Sequence, residues 1–510
     1  MSESLQEGQG GSEVVRSEGI TVAERYLGKL CERSFLSLWS YPGVYRDQGK
    51  DSDKGDGKEV CDLLVIFENH ILIFSDKDCH FADSGNLEQD WGRWYKKTIR
   101  KSAEQLWGAE RWIKQFPNRL FLDRQCKNPF PIALPVAQHA IFHRIVVAHD
   151  AARRCHEVLG GSGSLMLNNR VIGNAHLSRP FTIGQIDPAR GFVHVFDDTT
   201  LDIVMNTLDT ISDFTQYLTK KEQFLSTDKV VQAAGEEELL AVYLHDLNRE
   251  GEHDFIIDGN YDVLSFAEGF WDSFVRSPER QAQNKSNRVS YAWDTLIERF
   301  VSHAMTGTQY FTSGRPLSEQ EKMFRFLARE PRTRRRALAI SLREMLERSV
   351  HSRSPWEARV MLSSNVGDPL YVFLILKRKP DISDEEYREV RVQLLSNYCR
   401  VAKHKYPQAK DIIGIATEDG SPQRRSEDLF YLDASDWNAD REQRAREIQQ
   451  RLGILKEVKP TMNREYEYPV DHTGKPRRRT PSRNSPCPCG SGERFKRCHG
   501  KGPLDKRDKQ

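Results

Sequence analysis

Near its C-terminus the chain reads Cys487-Pro488-Cys489-Gly490-Ser491-Gly492 and, a few residues on, Cys498-His499. Three thiols and an imidazole at C-x-C-x8-C-H spacing are the four soft or borderline ligands of a closed tetrahedral zinc site. A segment this short and polar has no apolar core, so the compact structure open to it is one assembled around a metal. Pro486 and Pro488 hold the first two thiols on an extended, kinked knuckle. Gly490 and Gly492 supply the φ > 0 freedom needed to fold the chain back. We expect Cys487, Cys489, Cys498 and His499 to bind one structural Zn2+.

Residues 483–500, with their RN-PCPCGSG and F-R-CHG phrases, resemble the SEC-C motif, the zinc-binding knuckle at the C-terminus of the SecA translocase and of many other bacterial proteins. The resemblance implies a bacterial, cytoplasmic protein recruited to a partner through an adaptor. The tail around it, residues 471–510, carries 12 Lys/Arg against 4 Asp/Glu on a chain whose net charge is only +2. So concentrated a basic segment suits an acidic partner such as nucleic acid or ribosomal RNA, with a solubilising tail as the alternative.

The 510 residues leave room for two or three domains with proper cores. No run approaches eighteen consecutive apolar residues, so no transmembrane helix is expected. Residues 1–19 are acidic and Gly/Ser-rich without an apolar stretch, which reads as a disordered lead-in and not a signal peptide. Nine cysteines, scattered apart from the C-terminal set, point to thiols in a reducing compartment and not to a disulfide framework.

The expected class is α/β multidomain. Residues 20–150 read as one unit: a helix over 21–39, a loop over 46–58, two apolar runs at 63–67 and 71–74, a tryptophan-rich helix over 90–115, and a strand at 144–148. The turn Glu68-Asn69-His70 makes the two runs a hairpin of buried strands. Residues 151–240 read as a connector with a strand near 191–196 and a helix over 203–224. Residues 241–470 read as a helical stretch, including a basic helix at 332–348, followed by a second α/β unit. Its strands fall at 370–376, 411–416 and 429–432, and its helices at 384–405 and 439–452. A helix–strand–Lys pattern occurs in both units, Glu24 with Lys77 and Glu298 with Lys377, at a level chance can produce.

The candidate catalytic residues are Glu24 on the first helix, Asp62 at the head of the first apolar strand, and Ser75-Asp76-Lys77 at the end of the second. Strand alternation puts Ile71, Ile73, Ser75 and Lys77 on one face. This order of elements and charges is similar to the core of the PD-(D/E)XK nuclease superfamily, a restriction-endonuclease-like α/β fold. The resemblance implies that Asp62 and Asp76 hold Mg2+ and that Lys77 positions and activates the attacking water. The chain departs from the family at Ser75, where an acid is expected, and Asp76 offers a carboxylate one position later.

The following helix carries Arg93, Lys96, Lys97, Arg100 and Lys101 beside Trp94, Tyr95 and Trp107, a pairing of charge with stacking surface that suits nucleic acid. The alternative is a helix whose tryptophans pack the sheet and whose basic residues face water. Cys79-His80 and Cys155-His156 lack partners at metal spacing and read as interior residues. Asp197-Asp198 reads as a helix cap. Two functional readings remain open: a Mg2+-dependent nuclease, in defence or repair, and a non-catalytic adaptor docking to a ribosome, a chaperone or nucleic acid.

Overall fold

The computed structural model describes residues 19, 21–47, 57–257, 259, 261–308, 317–362, 367–419, 426–456, 466–469 and 494. The chain divides into two compact units, one within residues 12–285 and the other within 286–467.

The first unit opens with helix α1 (Val22–Phe35) and strands β1 (Ser40–Arg46), β2 (Lys58–Phe67) and β3 (His70–Lys77). A long helix follows as α2 (Leu87–Tyr95), a widened π turn (Lys96–Arg100) and α3 (Lys101–Gln115). The chain then runs through β4 (Ile141–Ala148), α4 (Ala152–Leu159), β5 (Met166–Ile172), β6 (Thr182–Gln185), β7 (Val193–Asp197), α5 (Thr200–Thr207), α6 (Ile211–Leu225), β8 (Val230–Ala233), α7 (Glu236–His245), β9 (Val263–Phe266), α8 (Phe270–Val275) and α9 (Pro278–Asn287). Five strands form a mixed sheet in the order β1-β2-β3-β4-β7, and β6-β5-β8-β9 form a second, four-stranded one.

In the five-stranded sheet β1, β2 and β3 are antiparallel neighbours, while β3, β4 and β7 run parallel. The β2–β3 hairpin closes through Glu68 at φ 53 and pairs Phe67 with His70. The parallel step from β3 to β4 needs a crossover, and α2–α3 supplies it. Helix α1 starts in a complete capping box between Thr21 and Glu24. It docks on α5 and α6 through Tyr26 Oη donating to Asp202 at 2.6 Å and Phe35 against Phe214 at 5.0 Å. The expected connector over 151–240 contributes β7 to this sheet, and its helix is two: Thr210 caps a new start at Ile211.

The second unit runs α10 (Tyr291–Thr306), α11 (Leu317–Ala328), α12 (Arg332–His351), β10 (Trp356–Met361), β11 (Leu370–Leu376), α13 (Asp384–Lys405), β12 (Asp411–Thr417), β13 (Glu427–Asp433) and α14 (Ala439–Leu452). Its sheet order is β10-β11-β12-β13, with β11 and β12 parallel across α13 and both outer pairings antiparallel. Every residue of β11 is buried, as its unbroken apolar run requires of a central strand. Gly414 lets α13 lie close on the sheet, since a Cβ there would come within 2.7 Å of Cys399 Sγ.

The basic helix of the sequence, α12, turns the arginines of its first turns inward, while Arg343 and Arg348 are exposed. Arg335 and Arg336 are 1% exposed, and Arg332 and Arg335 both bind Asp294, at 2.8 and 2.7 Å. Lys377, placed just after β11 as Lys77 ends β3, donates to the Ser352 carbonyl.

Candidate active site at the end of the first sheet

Asp62 lies inside an otherwise apolar stretch of β2 and is 4% exposed. Its Oδ2 accepts the Asp76 backbone N–H at 2.6 Å, and Lys77 Nζ stands 4.0 Å away. Burial pushes the Asp62 carboxyl above its ordinary range, and Lys77 and the Asp76 amide oppose that push. The pairing of Leu63 with Phe74 sets Asp62 across from Ser75, so Asp62, Ser75 and Lys77 share one face. Ser75 Oγ is buried with no hydrogen-bond partner among the described residues.

A fourth group reaches this face through an irregularity that strict alternation hides. Val44 pairs with Cys61 but Tyr45 pairs with Glu59, so the register skips Val60. This β-bulge reverses the parity of Glu59, turning it from the face of Cys61 to that of Asp62. Glu59 Oε1 is buried without a hydrogen-bond partner among the described residues, and its carboxyl is pushed up to about 7 by burial, then by Asp62 and Glu24, against the pull of Lys77. The sequence reading missed Glu59. Its signal was a second acid three residues before Asp62.

Asp76 does not join Asp62. It follows Ser75 on the strand and points to the opposite face, where its Oδ1 meets His149 Nε2 at 2.8 Å. His149 Nδ1 meets Asp198 Oδ1 at 2.6 Å, and Asp198 also accepts the Asp150 backbone N–H. Burial disfavours the imidazolium, but the two carboxylates outweigh it and hold His149 up at about 10. The carboxylate expected to replace the missing acid at position 75 is therefore engaged in a histidine clamp. Glu24 belongs to α1, on the sheet face opposite Lys77, where its carboxylate accepts the Thr21 N–H of the capping box; its charge raises the carboxyls of Asp62 and Glu59. Glu24, Asp62 and Asp76 do not bring three donor atoms within 4.8 Å of one another.

Helices α2 and α3 pack on the Lys77 face: Arg144, paired with Ile73 across the strands, holds Glu110 of α3. Trp94 donates to the carbonyls of Cys79 and His149, fixing α2 over the ends of β3 and β4. Trp94, Tyr95 and Trp107 are buried, so they are core and not stacking platforms. Arg93, Lys96, Lys97, Arg100 and Lys101 are all exposed and form one outward stripe. Cys155 is buried, which pushes its thiol up to about 12 and leaves it unreactive. Asp197 accepts the N–H groups of Thr199 and Thr200 at the start of α5, the capping role expected of it.

Cys487, Cys489, Cys498 and His499 lie outside the described residues. Among the described residues no helix is long and apolar enough to cross a membrane. No curated protein and no solved structure matches the chain. Residues 483–501 match the model of the SEC-C motif, and the chain carries that motif.

Proposed function

We propose that the first unit is a metal-dependent phosphodiesterase acting on nucleic acid, and that the SEC-C segment is a zinc-binding adaptor attached to it. The observation that carries the reading is one sheet face. Asp62, Lys77 and the bulge-delivered Glu59 occupy it at the end of a hairpin whose α–β–β–β–α–β order and strand senses agree with a PD-(D/E)XK core.

The donor chemistry fits a hard divalent cation. The charges of Asp62 and Glu24 add to burial in raising the Glu59 carboxyl, a repulsion that a bound cation relieves, and Glu59 keeps a buried oxygen without a partner among the described residues. Asp62 and Glu59 would hold Mg2+, which supplies Lewis acidity toward a phosphoryl oxygen and a water of lowered pKa. Lys77 sits beside Asp62 at the more open edge of the site, where its ammonium orients the attacking water and offsets charge growing on the phosphate. The exposed stripe on α2 and α3 neutralises the phosphate backbone without reading bases.

Purified protein should cleave plasmid or oligonucleotide in Mg2+ or Mn2+. Asp62→Asn should lower the rate at least 100-fold while leaving the thermal transition in place, and Lys77→Ala should lower the rate as far while also lowering the transition, because buried Asp62 loses its cation. Equal rates in wild type and both variants would sink the assignment. Ser75, a poor ligand for a hard cation, and the SEC-C match favour a second reading, a nuclease-like scaffold used as an adaptor. Binding of nucleic acid with no cleavage under any divalent cation supports that one.

A further inference from the structure

On the other face of the same sheet, His143 of β4, His194 of β7 and Glu222 of α6 bring one donor atom each within 4.8 Å of one another. Leu72 pairs with His143 and Ile145 with His194, so both imidazoles stand on the face of Leu72 and Asp76, opposite Lys77. Helix α6 covers that face, with Phe214 against Phe196. The cluster lies level with Leu72 and Phe74 and Asp62 level with Ser75, so the sheet itself, with the two sites on opposite faces, separates the cluster from the proposed nuclease site.

Both rings are 1% exposed, yet His194 Nδ1, His194 Nε2 and His143 Nδ1 have no hydrogen-bond partner among the described residues. Buried polar atoms are rarely left so, and three on adjacent rings call for an occupant. His143 Nε2 meets His70 Nδ1 at 2.9 Å, which orients the ring while Nδ1 has no hydrogen-bond partner among the described residues. Burial, with help from His70 and Arg144, brings His143 down to about 3, and burial likewise keeps His194 neutral, the form that ligates. Arg144 acts on Glu222 through charge, but the two cations nearest the cluster have carboxylate partners of their own. Arg144 is paired with Glu110 and Lys221 with Glu236.

We propose that His143, His194 and Glu222 bind a first-row divalent transition metal of the zinc class, with His70 orienting His143 from behind. Two imidazoles and a carboxylate are a three-ligand set with one open position, and imidazole selects against Mg2+ and Ca2+. Donors around such an ion stand about 3.4 Å apart, so the cluster closes by roughly 1 Å on binding. The other three-donor group among the described residues, Glu237, Glu238 and Glu268, is all carboxylate, and its members already accept from Ser162, Ser164, Gly269 and Trp271.

The test uses full-length protein with Cys487, Cys489 and Cys498 replaced by Ser, so that the tail no longer reports. Loaded with Co2+ or Zn2+ and desalted, it should retain about one equivalent. The cobalt form should show visible ligand-field bands without a thiolate charge-transfer band. His143→Gln and His194→Gln should abolish retention, Glu222→Gln should weaken it at least tenfold, and His70→Ala should weaken it 10- to 100-fold. Glu222 is only partly buried, so Glu222→Gln remains decisive if a histidine variant fails to fold. Absence of bound metal in the tail-silenced protein would assign the free nitrogens to buried water and overturn the site. Retention unchanged by Glu222→Gln and His194→Gln would overturn it equally.

Discussion

A carboxylate between Cys61 and Leu63 in a buried strand costs several kcal/mol unless something compensates it. Asp62 is compensated by an amide and a lysine, but Glu59 is not: its upward shift to about 7 records a fold that prefers the neutral acid. The sign follows from linkage. A carboxyl raised from its ordinary 4.5 binds a proton in the folded state that the unfolded chain has already released, so stability falls as pH rises from about 4.5 to about 7. Glu59→Gln should therefore raise the melting temperature above pH 7 and leave it unchanged below pH 4.5. Mg2+ should recover part of the wild-type deficit at pH 8 and give the variant nothing. A variant that melts with the wild type at every pH would show that Glu59 ionises freely. His149 runs the opposite way, since its imidazolium is favoured: the clamp's contribution is full below about 6.5 and is lost as pH climbs toward about 10. Melting in the His149→Gln protein should be flatter over that window than in the wild type.

Helix α2 with its π turn shows how one element divides two roles the sequence superimposes. The widened turn over Lys96–Arg100 leaves Thr98 and Ile99 inside and Lys96, Lys97 and Arg100 outside. The tryptophans thus add core area while the charges stay on the surface, Arg100 beside Glu104 and Asn174. Replacing Lys96 and Lys97 with Gln should leave stability within about 0.5 kcal/mol, as for surface sites generally. It should lower the slope of log K against log salt by about 2, one unit for each phosphate no longer neutralised. An unchanged slope would make the stripe a solvated face only. Elements of this kind are legible where composition leaves one solution. The run at 370–376 and the helices at 384–405 and 439–452 can be placed to the residue, because an unbroken apolar run, the Ser383 and Asn438 caps and the flanking loops agree. Two of the edge strands, β1 and β10, escape that reading. Strand β1 contains Pro42 and Gly43, tolerated because an edge residue need not donate to a second neighbour. Strand β10 is half-buried throughout and carries Glu357 and Arg359, so no apolar period marks it. At the site, Asp62 and Lys77 are readable from alternation, while Glu59 depends on a bulge that single-sequence period cannot show.

For the whole molecule, a net charge of +2 conceals where free positive charge resides. Arg332 and Arg335 of α12 are held by Asp294 inside the second unit, so the clusters of cations proposed to meet a polyanion are the α2–α3 stripe and the tail with its 12 Lys/Arg. If both meet the same nucleic acid, deleting residues 477–510 should weaken binding and flatten its salt dependence. The deletion and the Lys96/Lys97 change should then add in slope, because counterion release follows the number of phosphates neutralised, wherever on the protein the cations lie. The zinc prediction separates charge from architecture within that tail. Cys487→Ser should cost the protein about one equivalent of Zn2+ while leaving the melting of both α/β units unchanged, since the metal supplies the folding free energy of a segment with no core of its own. The variant keeps every basic residue. A salt slope preserved in Cys487→Ser but abolished by the deletion would make the tail a polyelectrolyte whose knuckle serves another purpose. A slope abolished by both would make the folded knuckle the element that presents its charge. Preservation in both would leave the stripe as the surface that meets nucleic acid and give the SEC-C segment to a protein partner.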